Sequence, residues 1–165
     1  MATFDEHVAQ AKRNISLLQF LNQNKPDYYD WQITIGFYSS LHLVNAHLSK
    51  FGLQYRNHQD VKYALNPAVV LSTSKLPEDE YTSYITLQML SRRARYLVNE
   101  KDNNLASTQA FFTYEPHLAK AIKHLDKLIY FFNQKYNLGI TPIPLHNCPN
   151  GVSKDEIKIL QKVQQ

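Results

Sequence analysis

Apolar residues recur at helical spacing along this 165-residue chain, and no alternating run lasts long enough to predict a strand. Val8, Ala11, Ile15 and Leu18 mark one face of a first helix that the spacing carries to about Leu21. Thr3 and Glu6 form the T-x-x-E pattern of a capping box at its start. Asn24, Lys25 and Pro26 interrupt the pattern, and Asp27 suits the N-cap of a second helix. In that helix Ile35, Tyr38, Leu41, Asn45 and Leu48 share one face, and Phe37, Val44 and Phe51 another. A helix apolar on two faces is packed on two sides. Gly52 supplies its stop.

A short third helix is expected over 56–65, then a loop from Pro67 to Lys75. Pro77, Glu78, Asp79 and Glu80 read as the first turn of a fourth helix, because proline tolerates that position and acids complement the dipole. Its inner stripe is Leu87, Leu90, Ala94 and Leu97. Lys101 to Ser107 is a polar connection. Thr113 is the expected cap of a fifth helix with the stripe Leu118, Ala121, Ile122, Leu125, Ile129, Phe132 and Tyr136, ended by Gly139. Ser153 and Glu156 repeat the capping-box pattern and predict a final helix from Asp155 to about Val163. The expected architecture is all-α: an up-and-down bundle of four main helices with short accessory helices over 1–138. A Pro-containing segment with a short C-terminal helix, 139–165, packs on it.

Composition narrows the function classes. Hydrophobic residues make up 44% and charged residues 19%, which argues for a folded domain. A single cysteine, Cys148, rules out an internal disulfide or a cysteine-cluster metal site. Eighteen Lys+Arg against 14 Asp+Glu leave a net charge of +4, which permits a phosphate-rich partner without demanding one. The stretch Trp31 to Ser49 lacks Asp, Glu, Lys and Arg, yet it holds too many polar residues for a membrane span and reads as a buried helix. The first residues do not resemble a signal peptide, so the cytoplasm is the expected compartment and no membrane contact is expected.

Seven histidines raise the question of a metal. His42 and His47 are five apart, a poor spacing for one helix face, and His117 and His124 are two turns apart. No metal and no cofactor is expected. The chain carries no glycine-rich phosphate loop and no serine-nucleophile motif. His146 and Cys148 form only a faint nucleophile pair.

The strongest polar feature is SRRARY, Ser91 to Tyr96. Arg92 and Arg95 share a helix face. Guanidinium forks bind phosphate oxygens bidentately and a neighbouring tyrosine stacks on a base. Arginines near a helix C-terminus also meet the dipole and the last carbonyls, so both readings stay open. Tyr130, Phe131 and Phe132 are consecutive and cannot all face one core, which motivates a homodimer or cover by the C-terminal segment.

The stretch Ile35 to Leu48 (IGFYSSLHLVNAHL), then Phe51-Gly-Leu, then Arg56-Asn-His58-Gln-Asp-Val, resembles the HEPN domains. In that family a Tyr-rich helix is followed by a glycine, a short gap and a histidine opening the next helix. SRRARY resembles the family's Arg-x-x-Ala-x-Tyr segment, and the match spans about Asp5 to Tyr136. The resemblance implies an all-α, often dimeric bundle linked to RNA cleavage, nucleotide binding, or pairing with a nucleotidyltransferase-type protein in toxin–antitoxin and defence systems. The nuclease branch places a histidine four to six residues after an arginine, and none of Arg13, Arg56, Arg92, Arg93 and Arg95 is followed by one at that spacing. The resemblance therefore carries Tyr38, His42, His58, Arg92, Arg95 and Tyr96 over as a ligand-binding or dimer cleft and assigns no catalytic residue. The expected function is a non-catalytic HEPN-like module that binds a nucleotide, RNA or protein partner. The alternatives are a metal-independent RNase with a displaced site, His58 with Arg92 or Arg95, and a structural or regulatory interaction subunit.

Overall fold

The computed structural model describes residues 2–99 and 109–163. Five helices follow in order: α1 (Phe4–Asn24), α2 (Tyr29–Ser49), α3 (His58–Leu65), α4 (Glu78–Tyr96) and α5 (Glu115–Tyr136). The expected polar connection from Lys101 to Ser107 lies outside the described residues. A helical bundle is thus the architecture, with α2 at its centre packed against α1, α4 and α5. Ile33, Phe37, Val44 and Leu48 of α2 are fully buried, which explains why that helix carries no charge after its first turn. Its buried hydroxyls bond back to their own helix: Ser39 Oγ donates to the Ile35 carbonyl at 2.9 Å and Ser40 Oγ to that of Phe37 at 2.7 Å. Gly36 lets α2 approach α5, since a Cβ there would stand 3.3 Å from Leu125 Cδ2.

The α1 capping box forms as expected: Glu6 N–H donates to Thr3 Oγ1 and Thr3 N–H to the Glu6 carboxylate. Other boundaries differ. Asp27 does not cap α2; Tyr28 holds that position without a side-chain bond, because Gln32 closes the turn by donating Nε2 to the Pro26 carbonyl at 2.9 Å. Pro77 is the N-cap of α4 rather than its first turn, its carbonyl accepting from Tyr81 N–H. Leu97 leaves the inner stripe. It ends α4 in the left-handed region at φ 54°, which turns its side chain outward to 39% exposure. Tyr114, not Thr113, precedes α5, and its N–H donates to His117 Nδ1. Asn137, at φ 50°, terminates α5 before Gly139 is reached.

The largest departure is beyond α5. Two three-residue strands, β1 (Ile143–Leu145) and β2 (Leu160–Lys162), pair in parallel with Ile143 opposite Leu160. The expected C-terminal helix is absent. Ser153 and Glu156 do form a capping box, but only one 3-10 turn, Lys154–Glu156, follows it. The buried carboxylate of Asp126 explains this. It accepts the backbone N–H groups of Lys158, Ile159 and Leu160 at 2.6–2.7 Å, the donors that a continuing helix would have used internally.

Asparagines fasten the same segment to α1: Asn22 Nδ2 donates to the Asn147 carbonyl at 2.8 Å, and Asn147 N–H donates back to Asn22 Oδ1 at 3.0 Å. The aromatic run on α5 is resolved by depth. Phe132 is fully buried, Tyr130 and Phe131 are half-buried, and Lys158 from the C-terminal segment lies over the Tyr130 ring at 4.1 Å.

Candidate functional site

Four of the six sequence-predicted residues meet where α2, the start of α3 and the end of α4 converge. Arg95 stands at the centre. Its guanidinium carbon lies 4.9 Å from the Tyr96 ring centroid and 5.9 Å from that of Tyr38. Nη1 donates to the Tyr96 hydroxyl at 3.2 Å, while Nε reaches back to Ser91 Oγ at 3.1 Å and its carbonyl at 3.3 Å. The fork is therefore held at its stem with both neighbours aromatic, which fixes its direction without neutralising its charge. Tyr96 is 62% exposed, so a broad ring stands at the surface beside the cation.

His58 opens α3 and rests on Phe37, ring centroids 5.6 Å apart. Partial burial, then the nearby Arg95 charge, hold its imidazole below the ordinary histidine value, so near neutral pH it is uncharged. Asn57 caps α3 by accepting from Asp60 N–H at 2.8 Å, which sets where His58 enters the helix.

His42 does not join this corner. His42 faces α1, where its Nδ1 lies 3.1 Å from Nδ1 of His7. Two ring nitrogens at that distance share one proton, one donating and the other accepting, and burial lowers both pKa values. Arg92 is exposed one helical turn before Arg95 and Tyr96, at the rim of the corner. Arg93 takes the structural part foreseen for this cluster: its Nε and Nη2 donate to the Phe112 carbonyl at 2.9 and 2.7 Å, tying the end of α4 to the approach to α5.

Other histidines are committed between helices. His47 Nδ1 bonds the Tyr136 hydroxyl at 2.5 Å and its Nε2 the Ser74 carbonyl at 2.9 Å. His124 Nδ1 meets Ser83 Oγ at 3.1 Å. Among the described residues no three His, Cys, Asp or Glu side chains converge as a metal site would require. Cys148 and His146 line a cavity of about 630 Å³ with Glu115, Lys154 and Lys162. Burial pushes the Cys148 thiol up, opposite to the direction an activated nucleophile needs.

Residue pattern alone missed Asp126 and the Asn22–Asn147 pair. A lone Asp inside an apolar helical stripe is a signal that a buried acceptor has work to do, but its partners lie more than 30 residues away. No family model, curated protein or solved structure matches the chain. No helix among the described residues is long and apolar enough to cross a membrane.

Proposed function

We propose that the chain is a non-catalytic, HEPN-like binding module whose Arg95 corner takes the phosphate of a nucleotide or of single-stranded RNA, with Tyr96 as the stacking surface for the base. The observation that carries this reading is the Arg95 guanidinium held between Tyr38 and Tyr96. A pre-oriented fork loses little side-chain freedom on binding an anion, and an exposed ring beside it accepts any base. A helical bundle is compatible with the HEPN resemblance, and toxin–antitoxin or defence systems are the setting that resemblance implies. A homodimer belongs to the same reading. Trp31, Phe112 and Tyr114 are each more than half exposed, and a second copy is one way to cover them. Light scattering tests it, a monodisperse monomer removing the dimer.

Binding of a fluorescently labelled oligo(U) of about eight nucleotides, a length within the site size of single-strand binders, tests the corner. The Arg92→Ala, Arg95→Ala double variant should lose that binding, and unchanged affinity defeats the proposal. The RNase alternative places His58 beside Arg95, but His42 is engaged with His7 and supplies no second proton-transfer group there. Total RNA should survive incubation with the protein and with its His58→Ala variant equally; cleavage that His58→Ala abolishes would establish the enzyme instead.

A further inference from the structure

A second surface, built by other residues, points to a different ligand. An open groove of about 850 Å³ runs between the turn entering α4, the outer face of α5 and the segment before β2. Its apolar surface comes from Pro67, Pro77, Tyr130 and Phe131, over the buried Leu76, and four lysines line it: Lys75, Lys127, Lys135 and Lys158. Glu80 is the acid among its lining residues. Asp79 engages Lys127 loosely at 3.6 Å, which leaves the groove cationic.

We propose that this groove docks an acidic amphipathic segment of a protein partner, apolar side chains against the Tyr130–Phe131 floor and carboxylates against the lysines. Charge complementarity selects the sign of the occupant. The form of the site selects its class. Lys158 Nζ lies 4.1 Å from the Tyr130 centroid and Lys135 Nζ 5.5 Å from that of Phe131, so the ammonium groups stand directly beside the aromatic floor, where carboxylates flanking an apolar anchor meet them. The groove is open along its outer side, whereas an acyl chain needs enclosure to bury most of its surface. A helix laid in an open groove keeps its polar side in water and buries only its anchors. The lysine stems extend the apolar floor, and their ammonium groups form the rim.

Tyr130 and Phe131 lie next to Phe132, so one face of α5 serves the core and its flank serves the partner. The segment carrying Lys158 is held by Asp126, which gives the rim a fixed position although it belongs to no helix. The proposal rests on none of the residues at the Arg95 corner.

A peptide-display library panned on the full chain, with the Lys135→Glu, Lys158→Glu double variant as counter-selection, tests it. The expected enrichment is for sequences with Asp or Glu flanking apolar residues at helical spacing. Isolated peptides should bind the double variant about tenfold or more weakly and lose affinity as salt rises, the behaviour of charge-steered interfaces. Circular dichroism melting of the double variant should match the parent, since both changes are at exposed positions. Arg95→Ala should leave peptide binding unchanged, which separates this site from the nucleotide corner. No enrichment, enrichment of neutral or basic sequences, equal binding to the double variant, or displacement of the peptide by oligo(U) would each overturn the proposal.

Discussion

Asp126 Oδ1 accepts the backbone N–H of Leu160 at 2.6 Å across 34 residues of chain, and the same carboxylate takes Lys158 and Ile159 as well. One side chain in the middle of a helix thus organises the segment that pairs β2 with β1. The expected cost of Asp126→Ala is about 3 kcal/mol, because buried donors left without an acceptor lose about 1–3 kcal/mol each and water recovers part of that. Asp126→Asn should cost less, since its oxygen can keep the two bonds made by Oδ1. Urea midpoints and hydrogen exchange at Lys158 to Leu160 measure both. An unchanged midpoint in Asp126→Ala would show that the segment is held by other contacts.

Acid should loosen the bundle before its carboxylates titrate. Burial holds His47 and His124 at about 4, against 6.5 for a free imidazole, and three nearby lysines add to the effect at His124. The unfolded chain therefore binds more protons between those values, so stability is fully present above pH 6.5 and falls as pH drops toward 4. The melting temperature should be level above neutrality and decline below it. His47→Gln should flatten part of that slope while lowering stability throughout. A melting temperature that holds or rises on acidification through this window contradicts the assignment.

Tyr84 is fully buried and its hydroxyl has no hydrogen-bond partner among the described residues. Tyr84→Phe removes an unsatisfied polar atom while keeping the ring beside Phe37. A gain of about 1 kcal/mol is expected, which is roughly 2–4 °C in melting temperature for a domain of this size. A loss would mean that the hydroxyl bonds something in solution.

The two arginines of the sequence pattern should separate in binding. Arg95 lies beside two rings, whereas Arg92, one helical turn earlier, is exposed. Arg95→Ala alone should reproduce nearly all the loss seen in the double variant, about tenfold or more in oligo(U) affinity, the scale of a charged hydrogen bond. Arg92→Ala should cost less than roughly threefold, as an exposed charge acting through water does. Equal effects would mean that the ligand lies along the solvent face of α4.

Much of the bundle was legible because its signals are local. The capping box of Thr3 and Glu6, the inner stripe of α5 and the uncharged run of α2 each arise from residues within a few turns of one another, and periodicity reports them directly. Arg95, His58, Tyr38 and Tyr96 were legible as residue types and in part as a group. Chain spacing did not show that His42 turns toward His7, because the contact joins two helices at residues 35 apart in the chain. Boundaries shifted where a side-chain bond displaced the expected cap, as that of Gln32 to the Pro26 carbonyl did at Asp27.

The C-terminal segment belongs to tertiary structure alone. Ser153 and Glu156 carry a helix-start signal that a neighbouring acid overrides, since backbone N–H groups bonded to the Asp126 carboxylate are no longer free to propagate a helix. Three-residue strands lie below the length at which alternation is readable, and parallel pairing joins residues that only the packed bundle brings together. The amino-acid pattern thus determined that helices form and which faces they bury. Packing decided which polar side chains meet, because hydrogen bonds of charged and ring groups depend on distances that no local period encodes.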